Sequence, residues 1–176
     1  MTERIDIYDC DRLPTGRTAD CPRGMRKGEY RLVIHLCLFD DAGRMLIQKR
    51  QDTCARWPGL WDVSVRGCAD AGETGRMAAE REAREELGLS LDLSGVRPAL
   101  AVSFPHGYDE LYLADFQMPP SGLCLQREEV AEIRWASEDE ILRLREEGLF
   151  TPFRPDYLRL LFRLREFGDV MEPESF

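Results

Sequence analysis

Apolar residues follow three different rhythms along this chain. From Tyr30 to Asp40 they run almost unbroken, with Leu32, Val33, Ile34, Leu36, Leu38 and Phe39, which predicts a buried strand. Asp40-Asp41-Ala42-Gly43 is a turn, and Met45-Leu46-Ile47 starts a second strand that ends in Gln48-Lys49-Arg50. Val63 and Val65 alternate with polar residues, as in a strand entering the loop at Gly67. Ala99 to Phe104 and Leu111 to Phe116 are two further strands, joined by a hairpin loop over His106 to Glu110. Near the start, Ile5 to Tyr8 reads as a short strand. Turn chemistry from Asp11 to Gly16 predicts a small hairpin there, and Arg17 to Gly28 is polar without a clear period.

The helical rhythm appears three times. Ala79, Ala83 and Leu87 recur every four residues between Thr74, whose hydroxyl can cap a helix, and Gly88, which can end one in a left-handed conformation. Ser137 can cap a helix from Glu138 to Glu147, with Glu140 at the capping-box position. Pro152 and Pro155 punctuate before a last amphipathic helix carrying Tyr157, Leu158, Leu160, Leu161, Phe162 and Leu164.

The first of these helices is chemically odd. Glu82, Glu85 and Glu86 share one face, and three like charges there repel one another. A cation should sit among them, and a hard divalent ion with oxygen ligands suits that face best. The stretch Gly67-x5-Glu73-x7-Arg81-Glu82-Ala83-x-Glu85-Glu86-x-Gly88-Leu89 resembles the Nudix box at all seven fixed positions. Ala83 is smaller than the usual aliphatic residue.

The resemblance implies an α/β protein with the Nudix fold. That fold is an α/β/α sandwich with a curved mixed sheet, the box helix on one side and the helix after Ser137 on the other. It also implies a Nudix-type pyrophosphohydrolase that needs Mg²⁺, or Mn²⁺ in its place. Glu85 and Glu86 are then the first metal ligands, joined by the backbone carbonyl of Gly67, and Glu82 is a ligand or the base. Arg81 can orient Glu85 through an ion pair four residues apart, and Glu73 braces Arg81. Gln126 to Trp135 resembles the acidic loop and following strand of such proteins, so Glu128 or Glu129 is a further candidate base. Lys49, Arg50 and Arg66 are candidate phosphate contacts, because Arg offers a planar bidentate fork. A charged strand end at the surface explains Lys49 and Arg50 as well.

Trp57-Pro58-Gly59-Leu60-Trp61-Asp62-Val63-Ser64 resembles the lead-in of one Nudix branch, the one that includes isopentenyl-diphosphate isomerase. Trp57 and Trp61 could stack on a ring, but packing is the simpler use of so large an aromatic surface. Isomerases of that branch carry a catalytic Cys directly before the box-entry Gly. Here Arg66 holds the place, and its guanidinium cannot exchange a proton at carbon as a thiol does. Cys68 and Arg31 stand where the branch has metal-binding histidines, and the chain has only His35 and His106. Three functions follow: a metal-dependent hydrolase of a nucleoside diphosphate derivative or related organic diphosphate, an isomerase of isopentenyl diphosphate, or a non-catalytic nucleotide-sensing module. The intact box weighs against the last.

Composition narrows the partners. A net charge of −9 argues against general nucleic-acid or membrane-surface binding, while a small diphosphate remains acceptable if a metal and nearby Arg or Lys reverse the field at the site. The six Cys form no Cys-x-x-Cys pair and read as reduced thiols, and no apolar signal core or membrane-length run appears. A cytoplasmic enzyme is expected, and a homodimer is compatible with the resemblance. The expected organisation is an N-terminal hairpin extension over 1–29, a Nudix hydrolase domain over 30–150 and a C-terminal helix packed on it over 151–176.

Overall fold

The structure is a computed structural model, and it describes residues 4–21 and 24–168. The remaining residues of the expected N-terminal extension and C-terminal segment, 1–3, 22–23 and 169–176, lie outside the described part. In chain order the elements are β1 (Arg4–Tyr8), β2 (Pro14–Asp20), β3 (Arg31–Phe39), β4 (Met45–Arg50), β5 (Trp61–Asp62), β6 (Val65–Cys68), α1 (Gly75–Leu87), β7 (Leu100–Phe104), β8 (Gly107–Asp115), β9 (Val130–Ala136), α2 (Glu138–Glu146) and α3 (Pro155–Phe167). The class is α/β with a mixed sheet. The β3–β4, β3–β6, β4–β5, β4–β9 and β7–β8 ladders are antiparallel, and a parallel bridge joins Trp61 to Phe150. Two compact units interleave in sequence, one of residues 1–36 and 65–112, the other of residues 37–64 and 113–176.

In the first unit, β1 and β2 form an antiparallel hairpin, while β6 pairs with β3 and β8 with β7. β3 is buried at every position, as its apolar run requires, with Arg31 and His35 as the polar exceptions to that run. α1 begins where Thr74 accepts a hydrogen bond from the Met77 N–H (3.3 Å) and stops at Gly88, whose φ of 65° is the left-handed conformation expected there. Ala78, Ala79, Ala83 and Leu87 are fully buried, so the four-residue stripe is the packing face. β2 was hidden in the polar segment because it is an exposed strand whose one fully buried residue is Ala19. β8 starts at Gly107, inside the expected loop, because Phe104 pairs directly with Gly107 and leaves only Pro105-His106 to turn. A Cβ at Gly107 would lie 2.3 Å from the Arg31 carbonyl, so that close approach needs glycine.

In the second unit, β4 pairs with both β5 and β9. The strand expected through Val63 and Val65 is broken in two at Ser64. Its hydroxyl donates to the Leu46 carbonyl (2.5 Å) and accepts from the Leu38 N–H (2.8 Å), filling the gap with side-chain bonds. α2 carries the complete capping box between Ser137 and Glu140. α3 buries Leu158, Leu161 and Leu164, and its Phe162 meets Phe39 edge-on with centroids 5.3 Å apart. Trp61 is buried under the Arg134 guanidinium, 4.9 Å from the ring centroid, which is a packing role.

Candidate functional site

The centre of the first unit's polar structure is Arg81, on the second turn of α1. Its Nε and Nη2 grip the two oxygens of Glu73 at 2.9 and 3.0 Å, a bidentate pair. Nη1 donates to Glu82 (2.9 Å) and Glu85 (3.0 Å), and Nη2 also donates to the Cys68 carbonyl (2.9 Å). One guanidinium thus joins the helix, the loop before it and the end of β6. Burial alone would weaken the Arg81 charge, but the hydrogen bonds it donates to Glu73 and the charges of Glu82 and Glu73 outweigh it and hold the group protonated. Burial likewise pushes the Glu73 carboxyl up, and the Arg81 bonds with the Asp70 N–H more than reverse it, leaving the pKa below the usual carboxylate value.

Like charges on this helix face therefore do meet a cation, and the structure supplies it from the chain itself. Glu86 and Glu82 are buried, whereas the Glu85 carboxylate is half exposed. Gly67 lies directly beneath Glu82: a Cβ there would come within 2.0 Å of Oε1. Backbone and carboxylate approach so closely only because residue 67 has no side chain. The donor set gathered here is oxygen only, which suits Mg²⁺ or Mn²⁺ rather than a thiophilic metal. Among the described residues no three His, Cys, Asp or Glu side chains form a ready-made cage. The residues thus fit an ion held by part of its shell, with carboxylates, a backbone carbonyl and water sharing the rest.

Arg66, the residue before Gly67, sits opposite His35 in the β3–β6 ladder, so the two share the face away from Gly67 and Glu82. His35 is buried, with its Nδ1 2.5 Å from the Asp109 carboxylate on β8. Arg31 lies on that face too, four residues before His35. On the α1 side, Tyr112 donates to Glu110 (2.8 Å), and a Cβ on Gly75 at the start of α1 would lie 2.0 Å from the same Glu110 carboxylate. Burial first, then the bond to Glu110, raises the Tyr112 pKa and keeps its hydroxyl a donor. Reading residues 106–110 as a loop concealed Asp109 and Glu110. The available signal was in β3, where Arg31 and His35 interrupt an apolar run four residues apart.

The other expected site residues belong to the second unit. Lys49 and Arg50 end β4, where Lys49 pairs with Glu132 and Arg50 with Val130 of β9. Arg50 donates through Nε to the Arg56 carbonyl (3.0 Å), and its Nη1 is 4.0 Å from the buried Asp62. Asp62 in turn accepts from the Thr151 hydroxyl (2.9 Å). Glu129 is an exposed turn residue whose carbonyl accepts from the Gln51 N–H (2.8 Å), beside Glu128 in the same turn. The structure thus brings Arg81, Glu82, Glu85 and Gly67 together in one unit and Arg50 close to the Glu129 turn in the other.

The NUDIX domain family model matches residues 29–161. An uncharacterised Nudix hydrolase of Listeria monocytogenes is 41% identical over 163 residues, 93% of this chain and 95% of the relative. An isopentenyl-diphosphate Delta-isomerase of Leifsonia xyli is 34% identical over 147 residues, 80% of each chain. Among solved structures, a protein of Deinococcus radiodurans superposes with a TM-score of 0.73 at 20% identity, covering 92% of this chain and 98% of its own.

Proposed function

The chain belongs to the Nudix hydrolase family, and from that premise we propose that it cleaves the pyrophosphate linkage of a nucleoside diphosphate derivative or related organic diphosphate, using Mg²⁺ or Mn²⁺. Nudix hydrolases generally use divalent metal ions. The observation that carries the finer reading is the Arg81 clamp, which fixes Glu82 and Glu85 beside the close approach of Gly67 to α1.

Glu82, Glu85, Glu86 and the Gly67 carbonyl would hold the ion. The bound ion would supply neutralisation of phosphoryl oxygens and a water made more acidic. The chain's own groups do the rest. Arg81 holds two of the carboxylates in place and is itself held by Glu73, so the carboxylates need little reorganisation as charge develops. Glu82 or Glu129 takes the proton from the attacking water. Lys49, Arg50 and Arg66 bind the substrate's phosphates. The substrate is a small molecule, the enzyme works in the cytoplasm and a homodimer is compatible with it. No described helix is long and apolar enough to cross a membrane. By sequence, residues 1–29 form a hairpin extension, 30–150 the Nudix domain and 151–176 a helical C-terminal segment.

The test is a screen of nucleotide sugars, dinucleoside polyphosphates, nucleoside di- and triphosphates and coenzyme diphosphates with Mg²⁺ or Mn²⁺, reading released phosphate species. Absence of hydrolysis across the whole panel would reject the proposal. The isomerase reading draws on the name of the Leifsonia xyli relative. It requires a thiol where this chain has Arg66. Cys68 is two residues further, several ångströms along an extended strand and too far for a proton transfer made at hydrogen-bond distance. Incubation with isopentenyl diphosphate and Mg²⁺ in deuterated water should give no incorporation. Deuterium uptake that disappears in Cys68→Ala would restore the isomerase.

A further inference from the structure

Arg31 is nine-tenths buried at the start of β3, yet its guanidinium forms no ion pair and its Nε has no hydrogen-bond partner among the described residues. Its one described contact is the Phe104 ring, with Cζ 5.9 Å from the centroid. A Cβ added at Gly107 would lie 3.1 Å from the Arg31 Cγ, so the Gly107 backbone passes close to the stem. The stem and ring hold the planar fork in place without neutralising it. The Asp109 carboxylate on β8 is engaged with His35 at 2.5 Å.

A guanidinium whose Nε–H is closed off from water without a hydrogen-bond partner carries a desolvation cost, and a ring quadrupole offsets only part of it. A strand whose other positions are nearly all apolar gains nothing for folding from an arginine there. Methionine would fill the same volume and stack on Phe104 without the charge. What the position does supply is an oriented, partly desolvated pair of N–H donors, the geometry that recognises a tetrahedral or planar oxyanion. Arg66 adds a second guanidinium to the same sheet face, in a molecule whose net charge is −9.

We propose that Arg31 is an anion receptor that binds a phosphoryl group of the substrate through its guanidinium fork, on the β3–β6 face that also carries Arg66. The assignment rests on the diphosphate reading of the substrate and extends it to a residue outside the box. Arg31 is here a binding residue and takes no part in proton transfer.

The test is calorimetric titration of the full chain with inorganic pyrophosphate in excess chelator, so that metal contributes nothing, alongside thermal melts with and without pyrophosphate. Wild type should bind, and Arg31→Met should bind at least tenfold more weakly. Arg31→Lys, which keeps charge and stem but loses the fork, should fall between them. The ligand-free melting temperature should rise in Arg31→Met, because an unbonded buried Nε–H has gone, whereas pyrophosphate should stabilise wild type and leave the variant unmoved. Equal pyrophosphate affinity in wild type and either variant would overturn the proposal. So would a lower ligand-free melting temperature in Arg31→Met, which is the mark of a structural arginine, or binding of malonate with equal strength. Failure of every substrate in the hydrolysis screen, with Arg31-dependent pyrophosphate binding intact, would sink the hydrolase reading and leave this one standing.

Discussion

α1 and α2 are both short, acidic and capped by a hydroxyl residue, and they use their charges in opposite ways. α2 places Glu138, Asp139 and Glu140 in its first turn and Arg143 and Arg145 in its last, each sign opposite the helix dipole it faces. α1 has no acidic residue in its first turn and puts Glu85 and Glu86 in its last, where the dipole is already negative. Glu86 is buried there as well, which a helix optimised for stability would avoid. Charges that oppose local stability point to a use beyond folding. α2 therefore reads as scaffold, and α1 as the helix whose acids the proposed ion would use.

The sharpest way to break that contrast is to neutralise one acid on α1. Glu86→Gln should lower turnover on whichever diphosphate the screen identifies by about a hundredfold or more, since a ligand charge is lost where phosphate charge must be offset. Undiminished turnover with normal metal affinity would leave α1 as much a scaffold as α2.

The next effect is on stability. Glu73→Gln breaks a bidentate, partly buried pair and should cost about 2 kcal/mol, within the range for hydrogen bonds to charged groups. The folded-state pKa of Glu73 lies below its ordinary 4.5. A depressed carboxyl stabilises the fold above its unfolded pKa and loses that contribution as pH falls through the folded value. Wild type should therefore lose stability as the pH drops below about 4.5, and Glu73→Gln should lose less over the same span. Urea melts at pH 7 and pH 3 measure both; parallel losses in the two proteins would remove Glu73 as the brace.

These expectations trace how far the sequence was legible. The spacing of Arg81 and Glu85 was enough to pair them, because side chains four apart on a helix meet, and the resemblance supplied Glu73 as the brace, whereas the contact of Arg81 with Glu82 emerged only in the structure. Both N-caps and the Gly88 stop were readable for the same local reason. Asp109, Glu110 and Arg31 were not legible as a group. Asp109 and Glu110 look like loop residues until His35 and Tyr112, contributed by strand positions, satisfy them. Arg31 looks like a strand end until its burial is known. β2 was missed because an exposed strand has no apolar face to display. Local periodicity thus reveals the acids of α1, whereas the opposite sheet face depends on pairings between strands distant in sequence.

The smallest expected effect lies in α2. Ser137 accepts from the Glu140 N–H (3.3 Å) and Glu140 accepts from the Ser137 N–H (2.8 Å). Ser137→Ala removes one of these bonds and should cost about 1 kcal/mol, the usual value of an N-cap. The Ser137 N–H, ahead of a small opposing effect of burial, holds the Glu140 carboxyl below its ordinary value. Its contribution is therefore complete above the unfolded pKa and fades as pH falls through the folded one, so the deficit of Glu140→Gln should shrink in acid. Turnover should be unchanged in both variants, because nothing on α2 opposes its own helix. A loss of activity in Ser137→Ala with the melting temperature restored by a stabilising background would show that α2 also holds part of the site, and the contrast between the two helices would fail.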